Sequence, residues 1–243
     1  MTKDADLLGF GNADTERINS IFQELCQNVT EDIDGIEFIS DTVKAVPIRE
    51  ENVYDGIRVT LMGMLHQAQI PLQIDICFGD AVTPAPELIE FPTLLDAPPP
   101  QLLAYPRYTM VAEKLEAMVR LGVANSRMKD FYDVFLLSEL FDFDGRILWD
   151  AIRNTFARRS TSLPRGLPMA FTDEFRKDTQ KETQWRAFLR KAKPENVSEE
   201  LDAVISEIVS FLAPVLKAAS EDKPFQSTWS KGGSWGRKGK NRP

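Results

Sequence analysis

Two periodicities of hydrophobic positions run along the chain, and the change from one to the other divides it. Over residues 72–78 the side chains alternate: Leu72, Ile74, Ile76 and Phe78 share one face, and Gln73, Asp75 and Cys77 the other. This is the period of a half-buried strand. Residues 56–65 are rich in Ile, Val, Leu and Met. A short polar link around Gln67–Gln69 joins the two runs, so a β-hairpin is expected. Ahead of it, residues 4–10 read as a short strand that turns at Gly9 and Gly11. Asn12, Ala13 and Asp14 offer a helix cap, and Ile18, Ile21, Phe22 and Leu25 form one helical face ending near Gln27. Short extended pieces follow near 36–39 and 42–48.

Residues 80–100 interrupt the pattern. Pro84, Pro86, Pro92, Pro98, Pro99 and Pro100 exclude regular helix or a central strand. Beyond them the period is helical, over 108–121, 129–140, 145–156, 182–193 and 198–219. The last helix carries a stripe of Val204, Ile205, Ile208, Phe211 and Leu212. From Lys223 onward Gly, Ser and Lys dominate, and the segment reads as mostly unstructured, with its tryptophans as candidates for docking. No internal repeat is present. The expected organisation is a mixed α/β domain over 1–95, a helical domain over 101–222 and a basic, disordered tail over 223–243.

Composition narrows the class. With 43% hydrophobic and 27% charged residues in 243, the chain folds rather than remaining disordered. No apolar run approaches the roughly 18 residues of a bilayer span. The first residues show no basic-then-apolar leader. Cys26 and Cys77 are too few for a disulfide scaffold and form no Cys-x-x-Cys pair, so a cytoplasmic, reducing location is the simplest expectation. The formal charge is −8; residues 223–243 hold six cations and no acid, which leaves −14 over the rest. A second basic patch comprises Arg153, Arg158, Arg159 and Arg165. A phosphate-rich partner would have to meet such local patches, although solvated charge is the plainer reading of the tail and an equal alternative for the patch.

Three carboxylates stand out. Asp4 and Asp6 lie two apart on an expected strand, so both point to one face; alone, such a pair is commonly solvated surface. Asp75, flanked by Ile74 and Ile76, wants a cation or a cavity, because a lone buried carboxylate costs several kcal/mol. A cap or a salt-bridged strand residue is the plainer reading. Carboxylates converging on one face suit magnesium, a hard cation that keeps positions for water and phosphate oxygens. In the helical part, Lys114 lies on the apolar face of its helix while Glu113, Glu116 and Arg120 share the other. Lys114 either snorkels outward or points into a site. Asp130 and Asp133 suit the first turn of the next helix, with Arg127 as a surface partner. A metal-dependent phosphohydrolase is the weaker alternative, since His66 is the single histidine and falls at an expected turn.

Ala112-Glu113-Lys114-Leu115 and the string from Asn125 through Arg127-Met128-Lys129-Asp130-Phe131-Tyr132-Asp133 resemble the AbiEii/AbiGii toxin family of nucleotidyltransferases. So do Thr2-Lys3-Asp4-Ala5-Asp6-Leu7-Leu8, Leu72-Gln73-Ile74-Asp75-Ile76, Thr155-Phe156-Ala157-Arg158-Arg159 and Gln184-Trp185-Arg186-Ala187-Phe188-Leu189. The similarity covers nearly the whole chain in order. It implies a catalytic α/β core with a mixed sheet, like that of DNA polymerase β, followed by a helical domain. It also implies a bacterial abortive-infection or toxin–antitoxin role with a separately encoded antitoxin as partner, and transfer of a nucleotide from NTP to RNA, in some relatives the acceptor end of tRNA. By position, Asp4, Asp6 and Asp75 match the Mg2+ ligands, Lys114 the lysine that touches the triphosphate, Asp130 the acid of the last motif and Arg127 a phosphate contact. The basic patch at Arg158, Arg159 and Arg165 is a candidate contact for the RNA backbone.

One feature departs from the family pattern. Its members carry Gly-Gly or Gly followed by Ser or Thr upstream of the Asp-x-Asp, whose backbone N–H groups hold the triphosphate. Only three residues precede Asp4, and Gly232-Gly233-Ser234 lies in the tail. Two explanations are open: the true start lies upstream of Met1, or the chain is N-terminally truncated and lacks its first strand and glycine motif. A truncated chain would have little transferase activity, and its remaining role would be to bind the antitoxin; with an upstream start the transferase reading stands.

Overall fold

A computed structural model describes residues 5–27, 35–49, 55–93, 98–194 and 196–237. The chain forms two compact units, residues 1–80 and 81–243; the expected first domain ran to 95.

In the first unit, β1 (Ala5–Gly9), β2 (Ile36–Arg49), β3 (Asp55–Leu65) and β4 (Ala68–Phe78) form one mixed sheet in the order β1-β4-β3-β2. β1 runs parallel to β4, and the other pairings are antiparallel. The expected hairpin is present, with its turn at His66 and Gln67 rather than at Gln67–Gln69. His66 adopts φ 54° there and is an exposed turn residue. The two extended pieces expected over 36–48 are one strand, bent by a bulge between Ile39 and Lys44. Helix α1 (Thr15–Gln27) is capped as expected: Asp14 Oδ1 accepts from the N–H groups of Glu16 and Arg17 at 3.0 and 3.1 Å. Its Ile18, Phe22 and Cys26 pack on Val43, Ile57, Val59, Leu61, Ile76 and Phe78. The alternation that puts these residues inside turns Arg58 and Asp75 to the other face. Gly9 is required where it stands, because a Cβ there would lie 2.3 Å from the Phe78 ring.

The second unit is helical. The proline-rich segment holds an exposed two-stranded ribbon, β5 (Glu87–Glu90) with β6 (Gln101–Ala104). Then come α2 (Arg107–Leu121), α3 (Met128–Leu140), α4 (Gly145–Arg158), α5 (Asp173–Arg176), α6 (Thr179–Ala192) and α7 (Leu201–Ser220). The five expected helices correspond to α2, α3, α4, α6 and α7. Among the described residues α7 is the one helix long and apolar enough to cross a bilayer. Its stripe of Val204, Ile205, Ile208, Phe211 and Leu212 is instead buried in this unit's core, beside Leu115, Phe131, Phe143 and Ile152.

The expectation of an unstructured tail is corrected. β7 (Phe143–Asp144), β8 (Ser227–Trp229) and β9 (Trp235–Arg237) form a second small antiparallel sheet. Trp229 is 1% exposed, and its indole donates to the Ser138 carbonyl at 2.9 Å. The Trp235 indole donates to the Phe211 carbonyl at 2.8 Å. Apolar burial and satisfied indoles together hold a sequence whose composition alone reads as flexible. Residues 238–243 lie outside the described part.

Candidate functional site

Two of the three expected carboxylates, Asp6 and Asp75, fall on the polar face of the first unit's sheet. Asp6 of β1 and Asp75 of β4 are register partners, and neighbouring strands run about 4.8 Å apart, so both side chains leave the sheet on one side next to each other. Asp4, the third expected ligand, lies outside the described residues. Among the described residues no group of three or more His, Cys, Asp or Glu is placed to hold a metal ion.

Asp75 already has a cation. Across the hairpin it faces Arg58, whose Nε donates to Oδ1 at 2.8 Å and Nη2 to Oδ2 at 2.7 Å. The pair is bidentate and partly shielded, with Asp75 15% and Arg58 41% exposed. With its amide oxygen turned toward the guanidinium, Gln73 accepts from the same two nitrogens at 3.3 Å. The salt-bridged reading of Asp75 is therefore the one the structure shows. Arg58 is also a residue that the sequence reading did not single out.

The residues expected in the helical part form a second cluster, within the second unit. Lys114 does not snorkel away. Its Nζ lies 2.9 Å from Asp130 Oδ1 and 2.8 Å from Asp133 Oδ2. Burial works against the charge on Lys114, but the two carboxylates outweigh it by charge and hydrogen bonding and hold the ammonium above the ordinary lysine range. Asp130 lies in the first turn of α3 without capping it. Its other oxygen is 2.6 Å from Arg127 Nε, and the Arg127 side chain is 54% exposed. Lys129 adds a second cation on Asp133, at 2.6 Å. Lys114, Asp130, Asp133 and Arg127 thus form one alternating chain of charges that ends in a guanidinium open to solvent.

The loop that delivers Arg127 and Asp130 is held from α6. Asn125, fully buried, accepts the Arg127 N–H on its side-chain oxygen at 2.8 Å. Its backbone carbonyl accepts from the buried Lys181 ammonium at 2.8 Å. Lys181 also stands 5.0 Å from the Phe175 ring centroid. Nothing in the local pattern around Lys181 marks it, since a lysine in the first turn of a polar helix reads as surface.

Glu116 corrects a further expectation. It was placed on the outer face of its helix, yet it is 0% exposed. Arg159 Nη1 lies 3.0 Å from its Oε2, and its Oε1 accepts from Thr161 Oγ1 at 2.6 Å and Arg120 Nε at 3.1 Å. Arg159 also lies 3.7 Å from Glu113. Arg159 is thereby committed inside the unit, and Arg153 pairs with Asp222. The expected basic patch is accordingly reduced as an open phosphate contact.

A family model described as "Nucleotidyl transferase AbiEii toxin, Type IV TA system" matches residues 1–207. No curated protein and no solved structure matches the chain.

Proposed function

Because the chain belongs to the AbiEii nucleotidyl transferase toxin family of type IV toxin–antitoxin systems, we propose that it transfers a nucleoside monophosphate from NTP to the 3′ end of an RNA, tRNA in the first instance. The observation that carries this reading is the placement of Asp6 beside Asp75 on neighbouring parallel strands. The donor chemistry fits Mg2+: both are hard oxygen ligands on one face, and Arg58 uses two of the roughly four acceptor positions of Asp75. Asp4, Asp6 and Asp75 would hold the ions, which when bound supply charge neutralisation at the phosphate and a more acidic attacking hydroxyl. Lys114 and the exposed Arg127 would contact triphosphate oxygens. Asp130 orients both through its two carboxylate oxygens. The reading includes a cytoplasmic bacterial setting and a cognate antitoxin, the partner that the family's system implies.

The test is incubation of the purified chain with Mg2+, each α-labelled NTP in turn and total tRNA. Label should appear in RNA for the wild type and fall at least about a hundredfold in Asp75→Asn, the scale on which electrostatic catalytic groups act. Absence of label with all four nucleotides would refute transfer.

A second reading, a catalytically silent homologue that acts by binding its antitoxin, has one observation in its favour: Arg58 engages both oxygens of Asp75. It predicts that wild type and Asp75→Asn bind the antitoxin equally and label nothing.

A further inference from the structure

We propose that Lys181 is a positioning residue for the phosphate contact at Arg127, acting through the Asn125 turn. This deepens the reading above and rests on it for the triphosphate as the ligand of Arg127.

Lys181 stands in the first turn of α6 and is 5% exposed. Its backbone is fixed there, since Asp178 Oδ1 accepts the Lys181 N–H at 2.9 Å. The ammonium meets the Asn125 carbonyl at 2.8 Å and the Phe175 ring at 5.0 Å. Among the described residues no carboxylate pairs with it. A buried charge with so little compensation costs stability, and an apolar side chain of the same length would fill the place at less cost. The charge is therefore explained by the carbonyl it holds rather than by what it adds to the core.

That carbonyl belongs to the turn that presents Arg127. Asn125 is 0% exposed. Its N–H donates to the Gly122 carbonyl at 3.2 Å, and its side-chain oxygen accepts the Arg127 N–H at 2.8 Å. The Arg127 carbonyl in turn accepts the Asp130 N–H at 2.9 Å. Phe175, beside the ammonium, stacks at 5.6 Å on Phe131 of α3, the residue after Asp130. The backbone of Arg127 is thus gripped on both sides, while its guanidinium is not. Nε lies 2.6 Å from Asp130 Oδ2, yet that oxygen has no aligned hydrogen bond, and the Arg127 side chain is 54% exposed. A fixed root with a guanidinium free to turn suits a fork that must meet phosphate oxygens at a set place. Release of the Asn125 carbonyl would let the root shift, and a displacement of about 1 Å is enough to weaken such a contact.

The test uses the full chain and titration calorimetry, with inorganic tripolyphosphate and Mg2+ as the probe. Tripolyphosphate carries no base, so the result does not depend on which nucleotide the protein uses. Wild type, Arg127→Ala, Lys181→Met and the double variant form a cycle. Lys181→Met keeps the length of the side chain, and a cooperative urea transition of the tryptophans verifies its fold. Arg127→Ala should weaken binding about tenfold. Lys181→Met should weaken it about three- to tenfold, the scale of coupling within one hydrogen-bond network, and the double variant should bind no more weakly than Arg127→Ala alone. Should Lys181→Met fail to fold, Asn125→Ala, which removes the acceptor of the Arg127 N–H, takes its place in the cycle with the same expectation. Losses that add in the double variant would mean a general loosening of the unit and overturn the proposal, as would wild-type affinity in Lys181→Met. Either result leaves the transferase reading standing. No effect of Arg127→Ala, or no binding by the wild type, would remove Arg127 from the triphosphate site and overturn the proposal together with that part of the reading. The expected cycle without nucleotide transfer to RNA keeps the role of Lys181 and removes the transferase.

Discussion

Replacing Glu116 by glutamine keeps the shape of the side chain and removes one negative charge from a place with no solvent contact. Arg159, at 3.0 Å and itself 15% exposed, then loses its main partner. Removing one member of a buried pair costs about 3–5 kcal/mol. Two features lower that figure. Arg120 is 43% exposed and can turn to water, and Arg159 retains Glu113 at 3.7 Å. The expected loss is about 2–3 kcal/mol, which for a urea slope near 2 kcal/mol/M lowers the midpoint by roughly 1 M. Fluorescence reports on the right unit, since Trp149, Trp185, Trp229 and Trp235, the four tryptophans of the chain, all lie within residues 81–243. The double variant Glu116→Leu with Arg159→Leu removes both charges together. It should be more stable than the two single losses added, by about 2 kcal/mol. A Glu116→Gln midpoint within about 0.5 kcal/mol of wild type, or strict additivity in the cycle, would refute the buried cluster.

Trp229→Ala should destabilise the helical unit by about 3–5 kcal/mol and Trp229→Phe by markedly less, measured by the same urea titration; no effect of the alanine variant would mean the C-terminal strands are not docked. Lys114 sets an alkaline limit. Its folded pKa is raised, so its contribution is complete below the unfolded value near 10.4 and is lost as pH climbs through the higher folded value. Urea midpoints measured from pH 9 upward should fall above about pH 10.4 in the wild type and fall less in Lys114→Met; parallel curves would exclude Lys114 as the source. Arg58→Gln removes the cation on Asp75, and calorimetric titration with Mn2+ should show several-fold tighter binding, whereas unchanged or weaker binding would mean that Arg58 does not compete with the metal.

Much of this architecture is legible because it is written locally. The helical stripes that build α2, α3, α4, α6 and α7 are set by side chains three and four residues apart, and these elements form within a few residues of where the pattern places them. The features that escape it depend on partners far along the chain. Glu116 faces inward because Arg159 and Thr161, more than forty residues later, meet it there. Strand β8 lies in a segment rich in Gly, Ser and Lys that reads as unstructured, and it forms where Phe143 and Asp144 offer it an edge. The resemblance to a nucleotidyltransferase named Lys114, Asp130 and Arg127 together. Their joining into one charge chain, and its support by Lys181 through Asn125, required the packing of α6.

Arg58 is a different case, because sequence contains it once the turn is right. In a hairpin the register is fixed by the loop. A loop at Gln67–Gln69 would set Leu61 opposite Asp75. The observed turn at His66 and Gln67 pairs Leu65 with Ala68, and seven residues out from each lie Arg58 and Asp75. An acid in an apolar strand demands a positive charge, and magnesium is only one source of it. Here a guanidinium from the next strand meets that demand with two hydrogen bonds. The carboxylate is thereby oriented by Arg58, and in the proposed transferase a divalent ion arriving at Asp6 and Asp75 would have to share or displace that guanidinium. Metal affinity at this face would then be set by three strands rather than by the aspartates alone.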